Sequence, residues 1–256
     1  MDASELSEVS NLLSYLLVIV ALFISAASTL KLMVRLYRVQ ASLLTLIVVL
    51  TALEPGRTRL ALAFVAVLPM MLAVLVPTLL ARASLGARRS AAVASRRDLA
   101  RRIASQRGAV ARVELTWLQN GGSRLAGGVS VTVDIVLIAA AFLVAYRLVY
   151  GPGGTLGALD ASVAPSLAVT MALVLQGLFT MTNKLDIIGQ VIGLLVIEHG
   201  LFLAAVRIAP PPLTYLFVWS LFFYVLVSLT ILLWILPELH RASGSITVAE
   251  NSVLKG

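Results

Sequence analysis

The stretch Asp186-Ile-Ile-Gly-Gln190-Val-Ile-Gly193-Leu-Leu-Val-Ile-Glu198-His199-Gly200-Leu-Phe-Leu-Ala-Ala-Val-Arg207-Ile decides the class of this chain. Between Asp186 and Arg207 its only ionisable side chains are Glu198 and His199. A run of about 20 predominantly apolar residues is the length that crosses a bilayer core as a helix. Glu198 falls near the middle of that run. A charged side chain at the bilayer centre costs at least about 2.5–3.5 kcal/mol, so an acid placed there is a candidate for function.

Working outward, further runs of the same kind appear. The expected segments are 11–30, 32–53, 60–82, 129–150, 163–183, 186–208 and 213–236. They predict an all-α, polytopic membrane protein of about seven transmembrane helices. The second is the weakest. It spans only if Arg35 and Arg38 extend to the headgroups from one end, and an interfacial half-helix is its alternative. Composition agrees: 60% of the 256 residues are hydrophobic and 12% are charged, against about 25% charged in soluble domains.

The basic residues set an orientation. Of 20 lysines and arginines, only Arg57, Arg59, Arg147 and Arg207 fall on one side when the segments alternate. The rest lie on the other side, and the positive-inside rule then predicts the N-terminus outside and the C-terminus inside. The N-terminal residues Asp2, Glu5 and Glu8 are acidic, which argues against a cleaved signal peptide.

The expected organisation is three helices over 1–82, a basic cytoplasmic loop over 83–128, a fourth helix with an outer loop over 129–162, a three-helix unit over 163–236 and a cytoplasmic tail over 237–256. The loop carries arginines among alanines and serines. It reads as a topology anchor drawn to anionic lipid at about 1 kcal/mol per basic residue near the surface, with docking on a partner subunit as the alternative. Its single aromatic, Trp117, argues against nucleic acid. Asn120-Gly121-Gly122 marks a turn, Pro210-Pro211-Pro212 ends the sixth helix, and Pro69 and Pro77 fall inside the third.

The absence of cysteine excludes thiolate-bound clusters and cysteine nucleophiles in this chain. His199 and His240 are too far apart in sequence to suggest a metal site. No Walker loop or nucleophile motif is present. Catalytic residues, a metal site and a cofactor bound by this chain are therefore not expected.

The candidate chemistry is a proton relay. Glu198 is its central carboxyl, and His199, the next residue, points about 100° away around the helix. Gln190 can hydrogen-bond across helices. Lys184 lies near the same face at the helix boundary, as the inner mouth of a path or as a topology charge. The bland reading of Glu198 is a buried acid bonded to a neighbouring helix. Gly189, Gly193 and Gly200 form a stripe that permits close helix approach. Asp134, six residues into the fourth segment, reads as interfacial or paired with an arginine of the basic loop.

The residues Gln190, Gly193, Glu198, His199 and Gly200 resemble the Q-x-x-G-x-x-x-x-E-N-G signature of the hydrogenase-4 component E family. Tyr37, Gln40 and the residues that follow look like that family's Y-x-x-Q-S stretch, and 244–256 resembles its tail. The last three segments also resemble the small K-type subunit of complex I. The resemblance implies a membrane subunit of a formate-hydrogenlyase-type or complex I-like assembly in the inner cell membrane. It implies antiporter-like and quinone-reductase-H-like partners, with lipid around them. It also implies a peripheral redox arm that holds the Fe–S clusters and, in hydrogenases, a NiFe centre. His199 stands where the family has asparagine, Leu72 stands where members often carry lysine, and 213–236 has no charge. Two other readings remain open: a subunit of an Mrp-type cation/proton antiporter, and a structural scaffold that has lost the relay.

Overall fold

In the computed structural model, the described residues are 3–53, 123, 125, 127–151, 163–208, and six positions between 216 and 230. They form five long helices: α1 (Ala3–Ala26), α2 (Leu30–Leu53), α3 (Gly127–Tyr150), α4 (Val163–Asn183) and α5 (Ile187–Arg207). Each has 21 or 24 residues. At 1.5 Å per residue that is about 32–36 Å, enough for a hydrocarbon core about 30 Å thick. All five are long and apolar enough to cross a membrane. The protein is an all-helical, multi-pass membrane protein. The expected third span 60–82, the basic loop from 83 to 122 and the tail 237–256 lie outside the described residues.

The second segment is a continuous helix of 24 residues. Lys31, Arg35 and Arg38 are exposed on one side, while Met33, Tyr37, Gln40, Ala41 and Leu44 are buried on the other. The charges that shorten its apolar run therefore sit on its outer face. The first helix starts and ends earlier than the expected 11–30. Its opening turns are polar, with Glu5 and Glu8, so apolar length alone places the start too late.

Helices α1, α2, α5 and α4 contact one another in a ring, and α3 lies in the groove between α1 and α4. The α4–α5 hairpin is the most extensive pairing. Its backbones approach closely: a Cβ on Gly177 would lie 2.7 Å from the Gly193 carbonyl oxygen, and one on Gly193 2.8 Å from the Met181 nitrogen. Small residues permit such approach between membrane helices.

The surface is apolar. Leu12, Phe23, Val136 and Leu143 are more than half exposed, while Gln40, Asp134, Gln176, Lys184, Glu198 and His199 are buried. Polar groups gather inside because lipid offers them no hydrogen bonds. In the expected last span, Leu216, Trp219, Ser220, Phe223, Val227 and Thr230 are helical and exposed. Their spacing of three and four residues is that of one helix face.

Candidate functional site: a buried polar interior

Two groups of buried polar side chains lie inside the bundle. The first is at the α2–α5 interface. Glu198 is 6% exposed and lies roughly 16 Å along α5 from its start at 1.5 Å per residue, near mid-span. His199 is buried beside it, and neither ring nitrogen has a hydrogen-bond partner. The Tyr37 ring stacks on the His199 imidazole, with centroids 5.2 Å apart and planes 8° apart. Tyr37 also lies within electrostatic reach of Glu198. Gln40, three residues along the buried face of α2, is fully buried with both amide atoms unpaired.

Helix pairing sets the height of this group. Gly177 packs against Ile197, and Gly200 against Leu173. Gln176 and Glu198 therefore lie at similar heights on neighbouring helices. Gln176 donates from Nε2 to the Val18 carbonyl oxygen of α1 at 3.3 Å, and its Oε1 is buried without a partner.

The second group lies at the end of the bundle where α1 and α4 finish. Lys184 is 1% exposed, and its ammonium donates to the Ala27 carbonyl oxygen at 2.6 Å. The last carbonyls of a helix lack intrahelical partners and carry the negative end of its dipole, so a cation there stabilises the helix end. Burial lowers the Lys184 pKa, and the negative charges of Asp186 and Asp134 act in the opposite direction. Asp186 caps the N-terminus of α5, accepting from the Gly189 amide at 2.7 Å. Its pKa is raised by burial, with the Gly189 bond and Lys184 opposing.

Around this end the chain is tied by amide groups. Asn183 donates to Ser130 Oγ at 2.9 Å and accepts from the Leu125 amide at 3.1 Å, which fixes the start of α3. Gln190 donates to the Lys184 carbonyl oxygen at 3.1 Å, so it braces the turn before α5. Asp134 completes the group. It is fully buried within the bundle. It faces the Ser25 hydroxyl of α1, yet neither makes a well-aligned hydrogen bond. The loop arginines expected as its partners lie outside the described residues; among those described, Lys184 is the cation that acts on it.

The residues expected to form a relay are thus divided between two places. Glu198 and His199 sit at mid-span, while Lys184 and Gln190 sit at the bundle end. Of the glycine stripe, Gly193 and Gly200 lie against α4, whereas a Cβ on Gly189 would meet the Asp186 carboxylate at 2.7 Å. Gly189 serves the cap of its own helix. Tyr37, Gln40, Asp134 and Gly177 were missing from the expected site. The first two share the face of α2 opposite its arginines, which is a readable signal.

Compared with protein-family models, curated proteins and solved structures, the chain matches none.

Proposed function

We propose that this chain is a non-catalytic membrane subunit of a redox-driven, proton-translocating complex, and that Glu198 is a protonatable station within it. One observation carries the reading: a carboxyl buried at mid-span beside His199 and Tyr37, with its Oε2 free of hydrogen bonds. A carboxyl held that way takes up and releases a proton without needing a ligand or a nucleophile. The sequence resemblance supports the wider assignment: seven helices with the N-terminus outside, the inner cell membrane, and neighbours of antiporter-like and quinone-reductase-H-like type. In that assignment the Fe–S clusters and any NiFe centre belong to a peripheral redox arm, and this chain binds no cofactor.

The test has two parts. Purification in mild detergent through a C-terminal tag, with mass spectrometry and metal analysis, identifies the assembly. Iron with antiporter-like subunits supports the redox complex. Membrane subunits without iron move the assignment to a cation/proton antiporter. Within the assembly, E198Q keeps the shape of the side chain and removes its proton exchange. Proton transport should fall at least tenfold while the complex still assembles; unchanged transport rejects the station.

A further inference from the structure

Lys184, Asp186 and Asp134 act on one another electrostatically at the bundle end, and two of them have structural duties. Lys184 holds the last carbonyl beyond α1. Asp186 caps α5. Asp134 has neither role: it is the eighth residue of α3, well inside the helix, and both its oxygens are buried without a well-aligned hydrogen bond.

Its placement is specific. α3 exposes most of its surface and buries a narrow stripe of Ser130, Asp134, Ala141, Ala145 and Val149. The other members of that stripe are small or apolar, so an alanine or serine would suit the contact at position 134. A buried charge pair is weak evidence for stability, because apolar replacements of similar volume often do as well or better. An ionisable residue retained in a membrane interior is by default a candidate for function.

We propose that Asp134 is a second proton-binding carboxyl of this bundle, governed by the Lys184 cation that the end of α1 holds in place. A proton from water at that end forms an O–H bond on the carboxylate, and the same bond breaks on release. No electron moves and no other reactant is needed. Lys184 stays on Ala27 and acts through its charge, which makes it a positioning residue. Counted along the helices at 1.5 Å per residue, Asp134 lies roughly 10 Å from this end and Glu198 roughly 16 Å. Asp134 is therefore the shallower carboxyl of the two. Only the onward destination of the proton rests on the reading of Glu198 given above; binding at Asp134 does not.

The experiment uses the full chain in lipid nanodiscs. Infrared difference spectra follow the protonated-carboxyl stretch through a pH titration. One titrating band should vanish in D134N and a different one in E198Q. K184M should move the midpoint of the Asp134 band by about one pH unit or more, a change that a purely structural lysine would not produce. D134E should restore a carboxyl band, and it decides the matter if D134N fails to fold. A D134N spectrum identical to that of the unmodified chain overturns the proposal, whatever E198Q does. An unmoved midpoint in K184M overturns the part assigned to Lys184. Loss of a band in D134N but none in E198Q supports this site and rejects the Glu198 station.

Discussion

Tyr37 of α2 lies almost parallel to His199 of α5, with ring centroids 5.2 Å apart. Both side chains are about 1% exposed. The stack joins the helix whose arginines interrupt its apolar run to the one that carries Glu198. Removing the Tyr37 ring leaves a large void beside His199. Tyr37→Ala should destabilise the protein by roughly 3 kcal/mol or more, the range for aromatic-to-alanine changes in a core. Tyr37→Phe keeps the ring and removes a hydroxyl that has no hydrogen-bond partner, so it should stay within about 1 kcal/mol. Unfolding in mixed detergent micelles would measure both.

Gly177 in the α4–α5 hairpin and Gly128 of α3 give opposite predictions. At Gly177 an added methyl would meet the Gly193 carbonyl and the Ile197 backbone at under 3 Å, and backbone cannot swing aside as a side chain can. Gly177→Ala should cost about 1–3 kcal/mol through overpacking. At Gly128, near the start of α3, the same methyl meets nothing within 4 Å. Gly128→Ala should be neutral or stabilise by up to about 1 kcal/mol from helix propensity. Equal melting temperatures for the two variants would contradict the close approach.

Asp186 offers a test of local structure. Its side chain accepts from the Gly189 amide, one of the donors left unpaired at a helix start. Asp186→Ala should lose about 1 kcal/mol, while Asp186→Asn should keep most of the cap, since asparagine and aspartate serve nearly equally there. Hydrogen exchange at the Gly189 amide should accelerate in the alanine variant alone.

Much of this fold was legible in the sequence, because a membrane helix announces itself by apolar length. All five described helices overlap expected segments, and the depth of Glu198 follows from counting residues along its run. What counting cannot supply is the radial direction of a side chain. Counting residues places Asp134 roughly 10 Å from the start of its helix, but it does not show that the side chain is buried. It is buried because α3 sits in the groove between α1 and α4 and turns that stripe inward. The sequence leaves Lys184 as the inner mouth of a path or a topology charge, and it does not show that the end of α1 encloses it. Gln40 and Tyr37 lie on a helix whose arginines dominate its hydropathy, yet those arginines face outward. The side of a helix that is buried depends on its neighbours, which a single sequence does not state.

Two groups outside the spans each make a contribution of known sign to the pH dependence of stability. Burial lowers the pKa of Lys184 in the folded protein below its ordinary 10.5. The unfolded chain then binds more protons than the folded one between the lowered value and 10.5, so stability rises with pH across that alkaline window. Lys184→Met should remove this rise. For Asp186 burial raises the folded pKa above its ordinary 3.8. Its contribution is full below 3.8 and is lost as pH climbs through the folded value. The two groups act in separate windows, one acidic and one alkaline, so a single series of unfolding measurements resolves them. Asp186→Asn should flatten the acidic limb, and Lys184→Met the alkaline one. An alkaline rise that survives in Lys184→Met would mean that the ammonium is not desolvated at the end of α1.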